Sequence, residues 1–326
     1  IPDVETHNTS TRNPLIICQR TLVNAFHEHE KFYFLGGSAS WGNIRGLLTH
    51  NIPGLKIYEE GDYTAPRVDV WGISDLALFA EANRVFKQSS KPFFAIIQTA
   101  GNHRPYTIPD ENDGFQIEPI PPKVLEENGF GSAEEWNAFR FMDHSIGRFI
   151  DTARQEPYFE KTIFAFFGDH GVTANSSRYA PKWEGQLGLS SFHVPFLIYA
   201  PKQIAPQIVT SVASQVDVLP ILAGMALNHY DNTTLGRDLF DSRFDTHRSV
   251  FTIAHGTRPE IGLLDPPFYM IMNDDRTGKR LHRLDTAAPR ENQILRHPEQ
   301  ADRMERRLVG IHETSKYMLQ GQSCDK

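Results

Sequence analysis

Two rhythms of apolar residues alternate along the first two thirds of the chain. Short apolar runs at 32–35, 93–97, 162–167 and 194–199 have the length and β-branched or aromatic content of buried strands, and 55–58 reads as a further strand. Between them lie stretches with helical spacing. The segment SDLALFAEANRVFKQSS offers Ser74 as N-cap and Leu76, Leu78, Phe79 and Val85 on one face. The segment SAEEWNAFRFMDHSIGRFIDTARQ carries Trp136, Phe139, Met142, Ile146, Phe149 and Ile150 as one apolar stripe. Further helices are predicted over 15–29 and over 215–227, with Pro220 near the start of the latter. Regular β-helix-β alternation predicts an α/β fold with a mainly parallel sheet covered by helices on both faces. From about Ser249 the pattern changes. SVFTIAH, EIGLL, FYMIMN and KRLHRLD read as a small antiparallel sheet, followed by a charged helix over 298–319. The expected organisation is therefore an α/β domain over 1–245 and a small C-terminal sheet and helix over 246–326 packed on it. The proline-containing stretch 116–131 reads as an excursion able to form a lid.

Composition narrows the functional classes. The chain has 326 residues, 40% hydrophobic and 22% charged, an ordinary globular balance. A net charge of -7 argues against a general nucleic-acid binder. Cys18 and Cys324 are far apart and outside any CxxC pattern, so no cysteine metal site or disulfide framework is legible. No stretch approaches the roughly 20 apolar residues of a membrane span, and the first residues lack the features of a signal peptide. The chain starts at Ile1 in a loop-like stretch and reads as a soluble fragment of a longer protein.

Polar groups gather where the apolar runs end. In FAFFGDHG, Asp169 offers a hard anionic oxygen and His170 an imidazole nitrogen, a pair suited to Zn²⁺ or Mn²⁺; by itself it reads equally as a hydrogen-bonded turn. In FLGGSASWGNIR, Arg45 can donate two parallel hydrogen bonds to a phosphate, and Trp41 can cover an apolar or glycerol-like part of a ligand. A core tryptophan beside a solvated arginine is the alternative. After the strand FFAIIQ come Thr99, Asn102, His103 and Arg104. Ligands of open α/β sheets sit outside the carboxyl ends of strands, which assigns His103 and the Asp169–His170 pair to one edge. His193, just before an apolar run, faces either substrate or loop. Asp143 and His144 read as polar neighbours of a helical stripe, and Glu59, Glu60 and Asp62 as a solvated strand end.

In their order, the strand-GG-x-x-x-Trp-x-Asn-x-Arg segment, WGISD, FFAIIQTAGNHRPY, MDHSIGRFI, FFGDHG, FHVPFLIYAP and LGRDLF resemble the lipoteichoic acid synthase and phosphoglycerol transferase group of the sulfatase/alkaline-phosphatase superfamily. The resemblance covers about 32–240 and implies a three-layer α/β/α alkaline-phosphatase-like fold. It implies a divalent cofactor, Mn²⁺ ahead of Zn²⁺ or Mg²⁺, held by Asp169 and His170. It also implies a substrate pocket lined by Trp41 and Arg45, with His103 on the substrate side in proton transfer or phosphate binding. Two departures stand out. Leu35 beside Gly36 occupies the place where relatives carry a further histidine, and the family's threonine nucleophile and an additional acidic ligand have no counterpart before Trp41. Both are expected upstream of Ile1.

The implied reaction starts with attack on a phosphatidylglycerol-like donor. Diacylglycerol leaves, a covalent phosphoglycerol-threonine remains, and a glycan or polyol-phosphate hydroxyl takes the group. The implied setting is an extracytoplasmic domain of a bacterial membrane protein, anchored by segments outside this chain, and the fragment alone is expected to turn over little or nothing. The competing readings are a sulfatase or phosphodiesterase on the same fold and a non-catalytic binding domain.

Overall fold

The computed structural model describes residues 19–172, 180–244, 248–255 and 258–320. Three parallel strands, β1 (Glu30–Leu35), β2 (Leu55–Tyr58) and β3 (Phe93–Gln98), form a sheet in the order β2-β1-β3. Parallel neighbours require crossovers. Helix α1 (Ile44–Asn51) connects β1 to β2, and α2 (Asp75–Phe86) connects β2 to β3. Because side chains alternate along a strand, β1 sends Phe32 and Phe34 to one face and Tyr33 and Leu35 to the other. The first pair packs in a core with Leu78, Phe79 and Phe86 of α2, the second with Ile44 and Leu48 of α1. Full burial of each such side chain contributes about 1.5–3 kcal/mol.

Ser74 caps α2 by accepting the Ala77 amide at 3.2 Å, and Ser132 caps the long helix α4 (Ala133–Ala153) by accepting that of Glu135 at 3.2 Å. Helix α4 lies on α2, with Phe149 stacked on Phe79 at 5.0 Å between ring centroids. The excursion before it contains α3 (Pro122–Asn128), and its base is pinned because Asn137 of α4 exchanges two hydrogen bonds with the Glu118 backbone.

Strand β4 (Phe164–Phe167) joins the same core through Phe164. It departs from the expected buried parallel strand: it pairs antiparallel with β5 (Phe196–Tyr199), and Phe167 is half-exposed. The described helices of the connection between them, α5 (Lys182–Gln186) and a 3-10 turn at Leu189–Ser191, are short and pack against the C-terminal sheet rather than crossing over the strands. The helix expected over 15–29 also differs. Residues before 19 lie outside the described set, and Leu22–Ala25 form a 3-10 turn whose Leu22, with Phe26, packs against Ala223 of α6 (Val218–Ala226).

Strands β6 (Val250–Ala254), β7 (Glu260–Asp265), β8 (Phe268–Asn273) and β9 (Arg280–Arg283) form an antiparallel sheet in chain order. One face packs Leu263, Met270 and Leu281 on Met304 and Leu308 of α7 (Pro298–Gln320). The other brings Tyr269, Ile271 and Leu284 against Leu189, Trp183 and Leu187. The C-terminal sheet therefore braces the segment between β4 and β5.

Candidate active site

Two groups of polar side chains stand where strands end. The first belongs to the parallel sheet, whose β1 and β3 share a carboxyl edge by their register. Trp71, the first residue of WGISD, to which the sequence assigned no role, joins the two loops. Its neighbour Gly72 has φ +102°, and a Cβ there would strike the Gly36 carbonyl oxygen, so the turn is pressed onto the end of β1. The Trp71 ring meets Trp41 edge-on at 6.0 Å and His103 at 4.1 Å, and its Nε1–H donates to the Arg104 carbonyl at 2.7 Å. Trp41 is 64% exposed, so the three rings make an aromatic surface open to solvent. The loop bearing His103 is held from below by buried Asp75, whose carboxylate accepts the amides of Ala100 at 3.0 Å and Gly101 at 2.8 Å. Burial pushes the Asp75 carboxyl above its usual range, against the two amide bonds that favour its ionised form.

Arg45 is neither free nor merely solvated. Its half-exposed guanidinium pairs with Glu59, whose other oxygen accepts the Ala39 amide at 2.7 Å. Glu59 is buried, which corrects its assignment to a solvated strand end: β2, parallel to β1, delivers it beneath the turn that follows β1. The carboxylate fixes one N–H of the fork and leaves others for a ligand.

The second group follows β4. Asp169 and His170 are both exposed; Asp169 Oδ1 accepts the His170 amide at 2.9 Å, and His170 Nδ1 lies 2.9 Å from the Gly171 carbonyl. That carbonyl fixes Nδ1 as the protonated nitrogen and leaves Nε2 as a metal-type donor. Nε2 and Asp169 Oδ2 are 3.7 Å apart, a separation one ion at about 2.1 Å from each can span. In kind and spacing the donors fit a divalent cation, as two members of an incomplete set: among the described residues no three His, Cys, Asp or Glu are grouped to hold a metal. Beneath this turn Gln215 Nε2 donates to the carbonyls of Gly168 at 2.7 Å and Asp169 at 2.6 Å. Gln215 is itself anchored by buried Asp217, which accepts the Ser214 amide at 2.8 Å and the guanidinium of Arg237 at 3.0 Å.

His193 belongs to the second group. The Gly171 amide donates to the Ser191 carbonyl at 2.9 Å, and His193 Nδ1 lies 3.1 Å from Glu184 Oε2. Trp41 and His103 are thus brought together around Trp71, Arg45, four residues after Trp41, is held by Glu59, and Asp169 and His170 are brought beside His193. No hydrogen bond, ion pair or ring contact among the described residues joins the two groups. Asp143 and His144 behave as expected of helix neighbours: Asp143 faces solvent, and His144 packs against Phe115 at 5.5 Å.

Comparison with known proteins supplies a family context. The model of the Sulfatase family matches residues 4–228. Lipoteichoic acid synthase 2 of Bacillus subtilis is 23% identical over 244 residues, which cover 72% of this chain and 35% of the relative. The chain thus spans about a third of that relative's length. Among solved structures, an alkaline phosphatase superfamily protein from Vibrio parahaemolyticus superposes with a TM-score of 0.67 at 23% identity, over 86% of this chain and 66% of the other. A lipoteichoic acid synthase from Listeria monocytogenes gives 0.73 at 14% identity, over 97% and 76%. At these identities the structures establish a shared α/β fold.

Proposed function

The chain belongs to the sulfatase family, and from that premise we propose that it is the greater part of a metal-dependent phosphoglycerol transferase domain of the lipoteichoic acid synthase-like type. The observation that carries this reading is the aromatic surface of Trp41, Trp71 and His103, together with a guanidinium four residues after Trp41 that Glu59 already orients. A phosphate needs a planar, fixed donor, and a glycerol or sugar face needs an apolar ring; both stand at one sheet edge.

In this reading Arg45 holds the phosphate of the donor headgroup while Trp41 covers its glycerol. His103, backed by Trp71, hydrogen-bonds the phosphate or moves a proton at it. Asp169 and His170 would hold a divalent cation, Mn²⁺ in the first instance, which when bound neutralises charge on the transferred group and acidifies a hydroxyl. Gln215 keeps their turn in place through two carbonyls. A phospholipid donor, a glycan or polyol-phosphate acceptor and an extracytoplasmic location on a membrane-anchored protein complete the proposal; no described helix is long and apolar enough to cross a membrane.

The test uses the intact protein with a fluorescent phosphatidylglycerol and, in parallel, an aryl sulfate. Release of labelled diacylglycerol, lost in Arg45→Lys and Trp41→Ala with metal content unchanged, is the expected result. Turnover of the sulfate alone would overturn the transferase reading, and inertness toward both would favour a binding domain.

A further inference from the structure

Glu184 is a buried carboxylate whose charged partner among the described residues is an exposed imidazole: its side chain is 9% exposed, that of His193 is 70% exposed, and Oε2 lies 3.1 Å from Nδ1. A buried carboxylate in this arrangement fixes the imidazole tautomer with the proton on Nδ1 and turns Nε2 outward. The backbone places His193 beside the Asp169–His170 turn. The antiparallel β4–β5 ladder ends at the pair Phe167–Phe196; three residues beyond that end, His170 follows β4 and His193 precedes β5. The Gly171 amide closes the same corner by donating to Ser191 at 2.9 Å, and a Cβ on Gly171 would lie 2.8 Å from the His193 carbonyl oxygen. The dyad is also braced. Trp183 and Leu187, on either side of Glu184, pack with Leu189 onto Tyr269 and Ile271 of the C-terminal sheet, and Arg290 Nε donates to the Gln186 carbonyl at 3.0 Å. A solvated loop histidine requires none of this.

We infer that Glu184 and His193 form a proton-transfer dyad in which Glu184 is the positioning residue and His193 Nε2 serves the oxygen that leaves or enters the transferred group. The inference rests on the Asp169–His170 turn marking the reacting centre. In the first half-reaction a hydroxyl nucleophile of the intact protein attacks phosphorus and its own proton passes to water. The phosphorus–oxygen ester bond breaks, its electron pair goes to the departing alcohol oxygen, and that oxygen takes the Nε2 proton of the His193 imidazolium, which leaves the neutral Nδ1–H tautomer that Glu184 holds. In the second half-reaction the acceptor oxygen bonds to phosphorus as the bond from phosphorus to the nucleophile oxygen breaks; that oxygen keeps the electron pair and takes a proton back from water, while the neutral imidazole accepts the proton of the acceptor hydroxyl, which restores the imidazolium.

The leaving group provides the test, because an alkoxide needs a proton to depart and p-nitrophenolate does not. In the intact protein His193→Gln is expected to lower kcat on an alkyl ester by about 100-fold or more, with a loss on the p-nitrophenyl ester at least about tenfold smaller. Glu184→Gln, nearly isosteric, follows the same pattern more weakly. In His193→Gly, added imidazole restores turnover of the alkyl ester, a readout that holds even if Glu184→Gln fails to fold. Equal losses on both esters, or an unaffected alkyl ester, would overturn the dyad. If the protein turns over only sulfate esters, the transferase reading falls, and the same comparison on alkyl and nitrophenyl sulfates still decides the dyad. Inertness on every ester overturns both.

Discussion

Replacing Asp217 by alanine tests whether the turn after β4 is held from below. Asp217 is fully buried and receives four hydrogen bonds: from the Ser214 amide at 2.8 Å, the Arg237 amide at 2.8 Å, Arg237 Nε at 3.3 Å and a terminal Arg237 nitrogen at 3.0 Å. Hydrogen bonds to a charged group are worth about 1.5–3 kcal/mol each, so a simple sum would reach about 6–12 kcal/mol, but such terms overlap. Removing one member of a buried ion pair costs about 3–5 kcal/mol, and that is the expected loss. Against a total of about 5–15 kcal/mol for a domain, it is a large fraction. Asp217→Asn keeps the shape but turns an amide group toward donors, and should fall between alanine and wild type. Urea unfolding of the intact protein, followed by tryptophan fluorescence, measures both. Because Gln215 sits in the same capping turn and holds the Gly168 and Asp169 carbonyls, metal affinity should fall with stability. A midpoint corresponding to less than about 1 kcal/mol of loss in Asp217→Ala would refute the reasoning, since it would make the pair a surface-like interaction.

Asp169→Ala should leave the unfolding midpoint within about 0.5 kcal/mol of wild type, because the side chain is 90% exposed, yet remove the metal, as elemental analysis of the purified intact protein would reveal. Glu59→Gln should cost about 1–3 kcal/mol through the Ala39 amide and the Arg45 pair, and should raise KM for a phosphate-bearing donor more than it lowers kcat. Trp71→Phe removes the bond to the Arg104 carbonyl while keeping a ring; turnover should drop with His103 misplaced, while the midpoint moves by about 1 kcal/mol, checked by kinetics alongside unfolding. Burial holds His29 and His282 below their ordinary value near 6.5, so the unfolded chain takes up protons that the folded one refuses. Stability should therefore be fully present above about 6.5 and decline as pH falls below it, and His282→Gln should flatten that decline in a pH series of urea midpoints.

The sequence by itself determined most of the strands, the long helices and their order. Apolar runs ending in glycine or polar clusters marked β1, β3 and β4, and Ser74 and Ser132 announced the helices they cap, because strand length, helical period and capping are local properties. Residue chemistry likewise singled out Asp169, His170, Trp41, Arg45 and His103. Tertiary structure decided which of them meet. Trp71 and Glu184 carried no local signal of their own, since one is an aromatic before a glycine and the other a carboxylate in a short helix; their importance comes from His103 and His193, 32 and 9 residues away, at 4.1 Å and 3.1 Å. Glu59 looked solvated because its neighbours in sequence are charged, and only the parallel register of β2 with β1 puts it under Arg45. The antiparallel return of β5 was hidden for the same reason. Strand direction depends on how the chain between two strands packs, and that is fixed by contacts distant in sequence.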